Sequence, residues 1–213
     1  MVNYYPAMLN LSGKKAVVIG GGAVAARKIL TLLEADAEVT VISPNLHESI
    51  MEVFIAKKII WKQKRFEPDD LQGFFLIIAA TNQSAINVQV YESTNDHQLI
   101  NLVDRPDLSN FIVPASLRRG ALTISVSTSG ASPGLARKIK QDLAKEYDEV
   151  YEEYLLFLEQ SRKRVIEEVA DSTIRRHILQ GLLESQFLEL TRQANYKERE
   201  ARLLQLLTGE IAP

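Results

Sequence analysis

The 213-residue chain is 46% hydrophobic and 24% charged with a formal net charge of −2, the balance of a folded globular protein and a poor match to a disordered chain or a general nucleic-acid binder. It contains no cysteine, which excludes disulfides, thiolate nucleophiles and Cys-ligated zinc or iron–sulfur centres. Apolar runs such as 74–80 fall far short of the about 20 residues that cross a bilayer, and the start of the chain lacks the basic and apolar regions of a signal peptide, so a cytoplasmic protein that engages neither membrane nor nucleic acid is expected.

The first hundred residues alternate short β-branched runs with helical patterns. Lys15–Ile19 (KAVVI) reads as a buried strand, followed by a helix over Ala23–Glu34 with apolar Val24, Ile29, Leu30, Leu32 and Leu33. Glu38–Ile42 (EVTVI) is a second strand, Leu46–Ala56 a helix, Ile59–Trp61 a weak third strand and Phe74–Ala79 a fourth. A helix over Ser84–Asp96 and a fifth strand at Leu99–Val103 close the series. Strands that read as continuous apolar runs and alternate with helices imply an α/β, parallel, doubly wound Rossmann sheet over residues 1–113.

The pattern then changes. Ala121–Ser127 (ALTISVS) is one further strand, which stands alone in sequence and therefore calls for a pairing partner that a second copy of the chain can supply. Ser132-Pro133 opens a helix to about Tyr147, with Ser at the N-cap and Pro in the first turn. From Asp148 onward there is no strand pattern, and helices are predicted over Val150–Val169, Thr173–Leu190 and Tyr196–Leu207, giving a helical domain over residues 148–213.

The first strand runs into Gly20-Gly21-Gly22-Ala23-Val24-Ala25, a match to G-x-G-x-x-A in the strand–loop–helix context that a dinucleotide fingerprint requires. Gly20 permits the tight turn, Gly22 lets backbone approach a pyrophosphate, and Ala25 is small enough for close packing, while free N–H groups at the helix start face the phosphates. The ribose-reading end of the second strand carries Ser43-Pro44 in place of an acidic residue, and no Lys or Arg lies between Lys28 and Lys57 to clamp a 2′-phosphate; NAD is therefore expected over NADP. Thr81 and Asn82 follow the fourth strand at its carboxyl end, where they can bond to the cofactor or cap the next helix.

Asp104 follows the fifth strand on the same rim, as a candidate general base or as a simple turn residue beside Arg105-Pro106-Asp107. Residues 105–145 carry seven basic and two acidic side chains, a local surplus suited to an anionic small molecule or to a solvated helix face. The three histidines, His47, His97 and His177, are not paired at ligand spacing, and no metal site is expected.

The segment NLVDRPDLSNFIVPASLRRGALTISVSTSGASPGLAR, over residues 101–137, together with the glycine loop VVIGGGAVAARK and IIAATN, resembles the precorrin-2 dehydrogenases and the N-terminal part of the sirohaem synthases. The resemblance spans roughly residues 10–145. It implies an NAD-binding Rossmann domain, a small α+β dimerisation domain over residues 114–147 and a C-terminal helical domain, assembled as a homodimer. It implies the reaction as well: NAD-dependent oxidation of the polycarboxylated tetrapyrrole precorrin-2 to sirohydrochlorin. Asp104 matches the catalytic carboxylate of the family. Asn110, Phe111, Pro114, Ser127, Ser132 and Pro133 match motif positions on the substrate side, Thr128 stands where relatives can carry Ser, and Ser129 where they can carry Gly. Arg105 and Arg137, with Arg118 and Arg119, are candidate partners of substrate carboxylates, since guanidinium binds carboxylate bidentately.

Some members of that family also insert iron into sirohydrochlorin, which makes a bifunctional dehydrogenase and ferrochelatase one alternative. Another is a non-catalytic NAD-sensing module, which needs the glycine loop but neither Asp104 nor the basic segment. A different NAD(P) enzyme is a third, although the Tyr-x-x-x-Lys pair of short-chain reductases is absent, since Tyr147 and Tyr151 are followed four residues on by Tyr151 and Leu155.

Overall fold

The computed structural model describes residues 4–209. The chain divides after Val113 into two compact units.

In the first unit, β1 (Lys15–Ile19), α1 (Ala23–Glu34), β2 (Glu38–Ile42), α2 (Glu48–Ile55), β3 (Ile60–Lys62), β4 (Leu76–Ala79), α3 (Ser84–Glu92) and β5 (Leu99–Leu102) follow in order. The five strands pair in parallel in the order β3-β2-β1-β4-β5, the arrangement expected of a doubly wound sheet. Chain direction reverses its walk across the sheet between β1 and β4, and a crevice at their carboxyl ends is where such folds bind ligands. The period-two geometry of a strand explains the unbroken apolar runs. Val18, Val41 and Ile78 face a core that buries Ala25, Ala26, Ile29 and Ile50, while Val17, Ile19, Ile77 and Ile100 face the opposite core with Leu71 and Val90.

The helices and strands are shorter than the sequence indicates at several ends. The second helix starts at Glu48 because His47 caps it, its Nδ1 accepting from the Ser49 N–H. The third ends at Glu92, where Ser93 and Thr94 turn their hydroxyls back onto the carbonyls of Gln89 and Tyr91.

The second unit corrects one expectation outright. The strand at Leu122–Val126 (β7) is not alone: Ala115–Arg119 (β6) pairs with it antiparallel through a tight turn at Gly120-Ala121, with Leu117 opposite Ile124. Its partner is thus the adjacent segment of the same chain, and the argument from a lone strand to a second copy falls away. Then follow α4 (Pro133–Glu146), α5 (Val150–Glu168), α6 (Ser172–Gly181), α7 (Ser185–Arg192) and α8 (Tyr196–Thr208). The single helix expected over 173–190 is two, broken at Leu182–Glu184. Tyr154, Phe157, Val165, Ile178, Leu182, Phe187, Leu203 and Leu206 form the helical core. Phe157 stacks on Phe187 with ring centroids 5.7 Å apart. The Tyr154 hydroxyl donates to the Leu182 carbonyl at 2.7 Å, and burial raises its pKa to about 12. No helix among the described residues is long and apolar enough to cross a membrane.

Candidate functional site

The glycine loop bridges β1 and α1. Gly20 has φ +121°, and a Cβ there would lie 2.4 Å from the Ala80 carbonyl oxygen, so the loop abuts the end of β4 and no larger residue fits. Gly21 is enclosed from the other side. A Cβ on it would meet the Asn45 carbonyl oxygen at 2.0 Å and Ser43 Oγ at 2.7 Å, and its own carbonyl accepts from the His47 N–H at 2.7 Å. Gly22 differs: nothing lies within 4 Å of a Cβ built on it. It is the N-cap of α1, without a side-chain cap and without an acidic residue in the first turn. An open space thus faces uncapped helix N–H groups and the positive end of the helix dipole, the environment a pyrophosphate requires. Ala23 and Val24 lie exposed beside it, whereas Ala25 is fully buried against the sheet. The loop therefore fits a dinucleotide.

Ser43 is nearly buried. Its hydroxyl donates to the Asn45 carbonyl at 2.7 Å and its carbonyl accepts from Trp61 Nε1 at 2.9 Å, so Ser43 shapes the ribose end of β2 rather than presenting a free hydroxyl. Pro44 continues the turn, its carbonyl accepting from Gln63 Nε2. The sheet brings a cation here that the linear sequence conceals, because Lys62 pairs in register with Ile42. Lys62 and Lys64 both lean onto buried Asp70, at 3.7 and 3.0 Å, which engages their charge.

At the carboxyl ends of β4 and β5, Thr81 and Asp104 are joined by Asn87 of α3, a fully buried polar side chain. Asn87 Oδ1 accepts from the Thr81 N–H (3.2 Å) and hydroxyl (2.8 Å). Its Nδ2 donates to the Thr81 carbonyl (3.2 Å) and to Asp104 Oδ1 (2.9 Å). Both donors face the oxygen and both acceptors face the nitrogen, which fixes the amide orientation. The nearby Ser84 hydroxyl also acts on the Asp104 carboxyl and lowers its pKa. Partial burial alone raises the Asp104 pKa, but the Ser84 hydroxyl, the Asn87 bond, its own backbone N–H and the Arg105 charge outweigh it and hold the group below the ordinary carboxylate range. An exposed carboxylate, ionised and oriented, thus stands on the same rim as the glycine loop. Sequence reasoning found Asp104 but missed Asn87 and Ser84. Asn82 is exposed, and the N-cap of α3 is Gln83, not Thr81 or Asn82.

The other expected residues divide. Arg105 is clasped bidentately by Asp107, at 2.9 and 2.6 Å. Asn110 lies along the edge of β5: its Oδ1 accepts from the Ile100 N–H at 2.8 Å and its Nδ2 donates to the Gln98 carbonyl at 2.8 Å. Phe111 packs on the core beneath α1 and α2, and half-buried Pro114 opens the second unit. In that unit the loop from β7 to α4 is self-bonded. Ser127 Oγ accepts from the Ser129 N–H, Thr128 Oγ1 from the Ser132 N–H, and Ser132 Oγ caps α4 by accepting from the Leu135 N–H. Ser129 sits at φ +51°, the left-handed region that explains why glycine suits its position. Arg119 pairs with Glu149 at 3.2 Å, whereas Arg137 is exposed on α4. Among the described residues no group of three or more His, Asp or Glu is placed to hold a metal ion.

A family model described as putative NAD(P)-binding matches residues 7–115, and one described as the central part of a sirohaem biosynthesis protein matches residues 119–146. A precorrin-2 dehydrogenase of Priestia megaterium is 34% identical over 197 residues, covering 92% of this chain and 97% of that protein. The chain belongs to the precorrin-2 dehydrogenase and siroheme synthase family.

The siroheme synthases in this family are longer. That of Nitrosococcus oceani is 34% identical across the whole of this chain, which spans only 46% of its length. Among solved structures, SirC, precorrin-2 dehydrogenase, superposes with a TM-score of 0.82 at 30% identity, covering 97% of this chain and 100% of that one. Similarity of this extent includes the helical tail, beyond the motif-bearing stretch at residues 10–145.

Proposed function

We propose that this chain oxidises precorrin-2 to sirohydrochlorin with NAD as the oxidant, and that Asp104 is the catalytic base. The observation that carries this reading is the ionised Asp104 carboxylate, held by Asn87 on the rim that also bears the glycine loop. When bound, NAD supplies the hydride acceptor. Gly20, Gly21 and Gly22 shape the phosphate cradle, and the N–H groups of Ala23, Val24 and Ala25 face it. Ser43 and Pro44 form the floor of the ribose end, and Thr81 and Asn82 border the cofactor at the end of β4. Asp104 accepts the proton that leaves the macrocycle, a role suited to a carboxylate that stays ionised at neutral pH. NAD is favoured over NADP because Lys62 and Lys64 are engaged by Asp70 and no other cation lies near the end of β2 in sequence.

In the second unit, Arg137 and the capped start of α4 are the groups we assign to substrate carboxylates, with Ser127, Thr128 and Ser132 shaping the loop before them. Arg105, Asn110 and Phe111 act indirectly, through Asp107, β5 and the core. The reading includes a cytoplasmic homodimer.

Calorimetric titration with NAD and with NADP tests the cofactor assignment: NAD should bind more tightly, and equal or inverted affinities would overturn it. Anaerobic incubation with precorrin-2 tests the reaction by the appearance of the sirohydrochlorin spectrum.

A further inference from the structure

We infer that Asn87 is a positioning residue that aligns the Asp104 carboxylate and ties it to the cofactor-side loop at Thr81. This deepens the reading of Asp104 as the base and rests on it. The geometry is specific. Asn87 reaches the carboxylate directly, its Nδ2 donating to Asp104 Oδ1 at 2.9 Å, and Ser84, the first residue of α3, stands three residues before it on the same side of the helix. Asn87 is one of two buried residues of α3, and the other, Val90, is aliphatic. A buried amide is retained there at a cost in stability unless all its groups are bonded, and here all four bonds are made, three to Thr81 and one to Asp104. A purely structural clamp on the β4–α3 loop needs only the Thr81 bonds. The fourth reaches across to the next strand end and holds one carboxylate oxygen.

The charged groups near Asp104 are Arg105, which follows it in the chain, and Asp107, which holds Arg105 by a paired contact. From α3 only the neutral Ser84 and Asn87 face it. Removing an amide or hydroxyl donor therefore leaves the local charge unchanged and alters only orientation and hydrogen bonding.

The test compares Asp104→Asn, Asn87→Ala, Asn87→Ser and Ser84→Ala, measuring turnover, KM, NAD affinity and the titration of the Asp104 carboxyl by carbon-13 chemical shift. Ser84 is exposed, so its replacement keeps the fold even if the Asn87 variants do not. The expected result is a loss of turnover of up to about tenfold for Ser84→Ala, whose hydroxyl lowers the Asp104 pKa, within what one polar contact to a charged group contributes. Its NAD affinity should stay within about twofold of the parent, a fraction of one such contact, and the Asp104 titration should move upward. Asn87→Ala should lose more turnover and also weaken NAD binding through Thr81. If Asp104→Asn abolishes turnover while Ser84→Ala and Asn87→Ala leave both turnover and the carboxyl titration unmoved, the inference is overturned and the base assignment stands. If Asp104→Asn itself turns over normally, the base assignment is what fails.

Discussion

Gly21 and Asn45 lie so close that a single methyl group on the glycine would come within 2.0 Å of the asparagine carbonyl oxygen. The middle residue of the glycine loop is thereby clasped by the β2–α2 turn, while the third glycine faces open space. Gly21→Ala must displace backbone, and overpacking of this kind costs about 1–3 kcal/mol. We expect a lower chemical-denaturation midpoint together with weaker NAD binding. Gly22→Asp should keep parental stability but lose NAD affinity by at least about tenfold, equivalent to 1.4 kcal/mol, because its charge faces the pyrophosphate. Calorimetry and urea unfolding of the two variants separate the effects; a destabilised Gly22→Asp, or a fully stable Gly21→Ala, contradicts the geometry.

Asp104→Asn keeps the size of the side chain but cannot accept a proton at neutral pH. A general base contributes about 10²–10⁴-fold, so turnover should fall at least roughly a hundredfold with NAD affinity nearly unchanged. Steady-state kinetics and calorimetry on the one variant decide this. Normal turnover would return Asp104 to a strand-end turn residue, and joint loss of turnover and NAD binding would mark it as structural.

The strands of the first sheet were legible because each of the central ones is covered on both sides, so Val17 and Val18 or Ile77 and Ile78 are buried in succession toward opposite cores. The hairpin strand β6 was not, since only Leu117 of its five residues is buried and Arg118 and Arg119 give it no apolar run. The break between α6 and α7 was hidden by Ile178, Leu182, Phe187 and Leu190, which continue the apolar pattern across it. At the site, the glycine loop declares itself by its strand–loop–helix context, whereas strand-end position left Asp104 either a base or a turn residue until the surrounding motif was read. Asn87 gave no signal, because the apolar Ala85, Ile86, Val88, Val90 and Tyr91 run round α3 and leave its buried face unmarked. The engagement of Lys62 and Lys64 by Asp70 was invisible because it depends on the helical turn at Pro68–Leu71, which folds Asp70 back onto the end of β3.

The second unit should show a pH dependence set by Asp148. Its hydrogen bond to Arg192 lowers the folded-state pKa, against partial burial, with the Arg192 charge adding to the effect. A lowered carboxylate stabilises fully above its unfolded value and loses that stabilisation as pH falls through the folded value. The pair is partly solvent-exposed, so Asp148→Asn should cost up to about 1 kcal/mol at neutral pH. The gap between parent and variant should close on acidification below the ordinary carboxylate range. A gap that persists in acid would show that the ion pair is not its source.

The β6–β7 sheet has only two strands, and neither outer edge is paired among the described residues. Two-stranded sheets are marginal and open edges invite pairing, which supports the homodimer through the sheet rather than through a lone strand. Sedimentation at micromolar concentration should give a dimer; replacing an edge residue such as Thr123, exposed on β7, by Pro should weaken it. A monomeric parent protein removes the homodimer from the account.

The most direct measurement is an anaerobic single-turnover reaction of the chain with precorrin-2 and NAD, following NADH and sirohydrochlorin absorbance together. One NADH should form for each sirohydrochlorin, at a common rate, and both should form at least roughly a hundredfold more slowly when Asp104→Asn replaces the parent protein. Sirohydrochlorin formed without NADH, or at the same rate in the variant, would contradict the account.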